Sequence, residues 1–185
     1  MSERTSASPV SFPVNVARLS RSGLPVWLEA DDRQRAALAG EHGLLGVDKF
    51  RADLTLQPWK ADGVRVHGHV RATIVQACIV SLEPVVAEID EAVDAVFVPE
   101  GSKLALPNWI ERGEMVLDAE GPDAPETFSG DTIDVGAVAE EFFALAIDPY
   151  PRKQGVSLES SAGRTDPDEP RGPLYEKLRG LAGKS

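Results

Sequence analysis

Three consecutive runs between Phe50 and Phe97 place apolar residues at every second position, and this alternation constrains the chain more than any other feature. In the first, Phe50, Ala52, Leu54 and Leu56 alternate with Arg51, Asp53, Thr55 and Gln57. Because successive side chains of a strand point to opposite faces, such a run is a strand with one face buried and one in water. Pro58 to Gly63 reads as a turn. The second run, Val64 to Cys78, sets Val64, Val66, Val70, Ala72 and Ile74 on one face against Arg65, His67, His69, Arg71 and Thr73 on the other. The third, Val85 to Phe97, turns Val85, Ala87, Ile89, Val93, Ala95 and Phe97 inward and Glu88, Asp90 and Asp94 outward, with Glu91 interrupting the apolar face. Adjacent alternating runs joined by short turns predict an antiparallel meander.

The flanking segments supply the rest of an α+β fold: a curled, mainly antiparallel sheet with a few packed helices. Val10 to Leu19, with Phe12, Val14 and Val16 at period two, predicts an early strand, and Leu24 to Leu28 continues its layer. Asp31 or Asp32 caps a short helix that Gly40 or Gly43 ends. Ser102 to Phe128 is rich in Gly, Pro and acids and reads as a loop. Asp134 is an N-cap for the clearest helix, whose apolar stripe is Val135, Val138, Phe142, Leu145 and Ala146, and which Asp148 before Pro149 brings to a stop. The expected organisation is a disordered stretch over 1–8, one domain over 9–155 containing an acidic loop at 102–128, and a flexible tail over 156–185. Within that tail a short helix, 173–181, carries Leu174, Leu178 and Leu181 on one face and needs to dock to be stable.

Charge narrows the function classes. The 185 residues carry a net charge of −11, and Gly113 to Pro151 holds ten acids and no Lys or Arg. A general nucleic-acid coat is therefore disfavoured, while a basic partner is attracted. Cys78 is the single cysteine, so no intrachain disulfide forms. Met1 to Val10 lacks the apolar core of a secretory leader and no window approaches the length of a membrane span, so a cytoplasmic protein without membrane contact is expected.

No phosphate loop, nucleophile elbow or zinc-protease motif occurs. His67 and His69, two apart on a strand, could share a metal if Asp53 joined them across the hairpin, but structural zinc wants four ligands and Cys78 lies on the opposite face. The residues read as ordinary solvated imidazoles, and no cofactor or metal is expected. Arg65 and Arg71 flank the two histidines, so this face also reads as a small positive strip for phosphate contacts, without an aromatic residue interleaved for base stacking. Glu140 and Glu141 diverge on their helix and are one rim charge and one solvent charge rather than an acid–base pair. Arg152 and Lys153, just beyond the helix end, suit either its dipole or a contact.

Two stretches carry a resemblance. Gly68 to Val85 (GHVRATIVQACIVSLEPV) and Thr132 to Gly155 (TIDVGAVAEEFFALAIDPYPRKQG) are similar to the YceD family, the large ribosomal RNA subunit accumulation proteins, in their alphaproteobacterial form. The matching residues include Gly68, Gln76, Cys78, Leu82, Glu83 and Pro84 in the first stretch. In the second they are Asp134, Gly136, Glu140, Asp148, Pro149, Tyr150, Pro151, Arg152 and Lys153. Ser81 stands where many members carry a second cysteine. The resemblance implies a non-enzymatic ribosome biogenesis factor that promotes accumulation or processing of large-subunit ribosomal RNA by binding that RNA or a pre-large-subunit particle. Arg65, His67, His69, Arg71, Arg152 and Lys153 are the candidate RNA or ribosome contacts. The alternative is an acidic adaptor that binds a basic ribosomal protein without touching RNA.

Overall fold

The computed structural model describes residues 7–105 and 125–155. The tail 156–185 with its 173–181 helix, residues 1–6 and the middle of the 102–128 loop lie outside the described residues. Ten elements follow in chain order. They are β1 (Pro13–Asn15), β2 (Leu24–Glu29), α1 (Asp32–Glu41), β3 (Gly46–Trp59), β4 (Gly63–Ala77), β5 (Pro84–Pro99), a 3₁₀ turn (Lys103–Ala105), β6 (Glu126–Phe128), β7 (Thr132–Asp134) and α2 (Val135–Leu145).

The alternating runs form the predicted meander. β2, β3, β4, β5 and β6 lie side by side in that order; the first four pair antiparallel and β6 joins β5 in parallel. Phe50, Leu54 and Leu56 of β3, Val66, Val70 and Ile74 of β4, and Ile89, Val93 and Phe97 of β5 turn to one buried face. Leu38 of α1 and Val135, Val138 and Phe143 of α2 complete this core. Phe143 meets Phe50 edge to face at a centroid distance of 5.3 Å, a favoured aromatic geometry.

Of the two expected acids, Asp31 caps α1: its carboxylate accepts from the Gln34 N–H at 2.8 Å while the Gln34 side chain accepts from the Asp31 N–H at 3.0 Å, a reciprocal cap. Gly43, at φ +64°, follows the C-cap His42.

The structure corrects five sequence expectations. Val10 to Leu19 is not one strand: only Pro13–Asn15 is extended, because the Asn15 side chain turns back to accept from the Ala17 N–H at 3.1 Å. Nor does Leu24 to Leu28 continue its layer, since β1 pairs with β7 in a separate two-stranded sheet while β2 pairs with β3. The Pro58 to Gly63 turn shrinks to Lys60–Asp62, with Lys60 at φ +52° taking the tight bend. The 102–128 loop is not wholly irregular, because Glu126–Phe128 adds a parallel edge strand. A parallel neighbour requires a long connection, and β6 begins only at Glu126, well after β5 ends at Pro99. Finally, Leu145 is 76% exposed and Phe143 takes the core position; the expected Val135 and Val138 are buried with Ala139, and Phe142 and Ala146 pack half-buried against them.

Candidate functional site

The meander's register decides what its outer face can do. Odd-numbered residues of β2, β3 and β4 stand in rows with even-numbered residues of β5: Pro25–Thr55–His67–Asp94, Trp27–Asp53–His69–Ala92 and Glu29–Arg51–Arg71–Asp90. The expected strip of Arg65, His67, His69 and Arg71 is therefore flanked on both sides by carboxylates. Arg65 Nε donates to Asp94 Oδ1 at 2.7 Å and its Nη2 engages the other oxygen. Arg71 donates to Asp90 at 3.1 Å and to Asp53 at 3.2 Å, while His69 Nδ1 lies 2.9 Å from Asp90. Arg51 takes the rest of Asp53, at 2.7 Å.

These bonds hold Asp90, through His69 and Arg71, and Asp94, through Arg65, below the usual carboxylate range. The lattice is exposed, so its contribution to stability is small. Its electrostatic effect on a ligand is larger: an approaching phosphate meets cations already neutralised and the carboxylates that neutralise them. Among the candidates on this face only His67, between Thr55 and Asp94, makes no hydrogen bond among the described residues. Asp53 does stand opposite His69, as a shared metal would require. It is occupied by the two arginines, and among the described residues no group of three His, Cys, Asp or Glu side chains converges.

Register also shows what the strip's sequence concealed. Trp27, on the short edge strand β2, stands directly opposite Asp53 and is 67% exposed, so an aromatic ring does border the strip. The alternation of Pro25, Trp27 and Glu29 with Val26 and Leu28 is the signal that could have placed it there.

The two resembling stretches converge at the far end of the sheet. Cys78, immediately after β4, is fully buried, and its backbone organises the turn that follows: its N–H donates to the Glu83 carbonyl at 2.8 Å and its carbonyl accepts from the Leu82 N–H at 2.9 Å. Against this turn lies the strap after α2. Gln76 Nε2 donates to the Asp148 carbonyl at 2.8 Å, the Ile79 N–H to the Pro151 carbonyl at 3.0 Å, and Lys153 Nζ to Glu83 at 3.1 Å. The Ser81 hydroxyl, then the backbone N–H groups of Lys153, Ser81 and Val80, point at the sulfur and push its pKa down to about 6. Arg152 remains exposed and unpaired among the described residues. Leu82, at φ +61°, and Tyr150 project outward at 77% and 69% exposure, and Pro84 and Pro149 are also exposed.

At the head of α2, Asp134 accepts from the Gly136 and Ala137 N–H groups at 3.1 and 3.0 Å, from the Phe12 N–H at 2.7 Å and from the Ser11 hydroxyl. Burial opposes its ionisation, but the four bonds outweigh that and keep its pKa low. A Cβ on Gly136 would fall 1.8 Å from the Val10 carbonyl oxygen, so only glycine admits this N-terminal segment. Glu140 is indeed a rim group: it pairs with His42 Nε2 at 3.0 Å, tying α2 to the end of α1, while Glu141 is exposed. Asp134, Gly136, Glu140, Gln76 and Cys78 thus hold the framework together.

The family described as large ribosomal RNA subunit accumulation protein YceD matches residues 66–181. The chain belongs to the YceD family. Its role accordingly lies in the accumulation of large-subunit ribosomal RNA. The match spans both the Cys78 turn and the Asp134–Lys153 segment, the two parts that the structure joins. No curated protein and no solved structure matches the chain. Among the described residues no helix is long and apolar enough to cross a membrane.

Proposed function

We propose that this YceD-family chain is a non-enzymatic, cytoplasmic factor that joins a pre-large-subunit particle through a basic ribosomal protein rather than through free RNA. The observation that carries the reading is the pairing of the outer-face cations: Arg65 with Asp94, and Arg71 with Asp90 and Asp53. RNA affinity comes chiefly from unpaired cations that displace counterions from phosphates. Here each such cation would have to leave a carboxylate that then faces the phosphate. A net charge of −11 acts in the same direction at long range and favours encounter with a basic protein. The single cysteine, reduced and without a partner thiol in the chain, supports a cytoplasmic setting.

Crosslinking in cells, followed by sedimentation and identification of what is joined to the chain in pre-large-subunit fractions, tests this. Crosslinks to a ribosomal protein in those fractions are the expected result. Crosslinks confined to large-subunit RNA and running through Arg65 or Arg71 would replace this reading with direct RNA binding.

A further inference from the structure

Trp27 is exposed and joins no core cluster among the described residues. Its ring stands on the outer face of β2, the edge strand of the five-stranded sheet, and among the described residues nothing pairs with the other side of that strand. An open groove of about 640 Å³ surrounds it, lined in part by Pro25, Glu29, Arg51, Asp53 and Thr55. The molecule's other described tryptophan, Trp59, already carries a cation, with Lys60 Nζ 4.0 Å from its ring centroid. Trp27 carries none among the described residues, and the Glu29 carboxylate, two residues along on the same face and opposite Arg51 of β3, makes no hydrogen bond or ion pair there.

We infer that the β2 edge is a docking site for an extended basic polypeptide segment of a partner protein, which pairs along Val26–Glu29 and lays an arginine or lysine over the Trp27 ring beside the Glu29 carboxylate. This rests on the reading of the chain as a binder of a basic ribosomal protein and names the surface that does it. Three features select that occupant. The aromatic face attracts a cation. Side chains of residues 27 and 29 sit about 7 Å apart along the strand, within the span of one long basic side chain or of two alternate ones on an added strand. The third is charge: a nucleobase could stack on the same ring, but its phosphates would meet the Glu29 carboxylate, which makes no ion pair among the described residues, whereas a basic segment is complementary to it. Pro25, which has no N–H, limits pairing at the start of the strand and leaves the Trp27 end as the productive one.

The test measures binding of a labelled synthetic peptide, alternating arginine and threonine, to the full chain, with a uridine oligonucleotide as the competing probe. The peptide should bind, and its counterpart with citrulline at every arginine should not. Trp27→Ala should weaken binding roughly tenfold, and Trp27→Phe less, since a ring remains. Glu29→Gln should weaken it several-fold and flatten its salt dependence. Unchanged binding by Trp27→Ala overturns the site, as does binding of the oligonucleotide but not the peptide at Trp27, or a dimer that Trp27→Ala dissociates. If Trp27→Ala binds the peptide normally while the chain still crosslinks to a ribosomal protein in cells, the site falls and the protein-contact reading survives. If the cellular crosslinks are to RNA alone, the protein-contact reading itself falls.

Discussion

Replacing Gly136 with alanine should reverse the usual sign of a glycine-to-alanine change in a helix. By propensity alone, the substitution near the start of α2 would stabilise the protein by up to about 1 kcal/mol. The structure predicts the opposite, because the new Cβ would lie 1.8 Å from Val10 O and 2.7 Å from Phe12 N. To reach even 3.0 Å, below which real Cβ contacts are essentially never found, the Val10 carbonyl must withdraw by about 1.2 Å. That movement opens the Phe12 N–H bond to Asp134 at 2.7 Å and the Val135 N–H bond to the Phe12 carbonyl at 3.1 Å. Losing a hydrogen bond to a charged group costs about 1.5–3 kcal/mol and a neutral one about 1 kcal/mol, so after a propensity gain of about 1 kcal/mol the net loss should be about 1.5–3 kcal/mol. Urea denaturation at neutral pH measures this as a lower midpoint at unchanged slope. Gly40 of α1 is the control: nothing lies within 4 Å of its Cβ position, so Gly40→Ala should be neutral or stabilising. Equal, stabilising shifts for both variants would refute the close-approach argument.

The thiol of Cys78, pushed down to about 6, should show thiolate absorbance with a midpoint near pH 6 in the folded protein and near the ordinary thiol value after unfolding. Because the folded value lies below the unfolded one, stability should rise as pH climbs from about 6 towards the ordinary thiol value of about 8.5, and Cys78→Ala should lack that rise; a folded midpoint above pH 8 would contradict it. Asp134→Ala removes the helix cap together with the anchors to Ser11 and Phe12, and should cost about 2–3 kcal/mol by denaturant titration. In the wild type the same contribution should be present above the normal carboxylate range and fade as pH falls through and below about 4, since its folded pKa is depressed. Arg65→Ala and Arg71→Ala should each leave the urea midpoint nearly unchanged, because their pairs are exposed; a clear drop would show the lattice to be structural.

The meander was legible because a half-buried strand prints its two faces at period two, and Phe50 to Phe97 does so almost without interruption. Asp31 and Asp134 were legible as caps because a short acid before an apolar helical stripe has few other uses. What escaped were properties of register and of distant pairing. The residues Arg65, His67, His69 and Arg71 were placed on one outer face, but only the alignment of β4 with β5 shows Asp90 and Asp94 beside them. The three-residue strands β1, β6 and β7 are too short for any periodicity, and a parallel partner reached by a long crossover leaves no local mark. Phe143 and Leu145 stand about 200° apart on α2, and because Phe142 to Leu145 is apolar throughout, hydrophobicity alone does not mark which side is buried. Gly136 was named from the family resemblance alone, and its physical reason, the carbonyl of Val10, lies on a segment far away in sequence.

On the reading proposed above, this YceD-family chain meets the assembling large subunit through protein and not through bare RNA. The most direct measurement compares binding of the full chain to purified pre-large-subunit particles and to RNA deproteinised from the same particles, across a range of salt. The account predicts binding to particles only, unaltered by combined Arg65→Ala and Arg71→Ala substitution. Comparable binding to the deproteinised RNA, with a steep salt dependence that the double substitution abolishes, would contradict it.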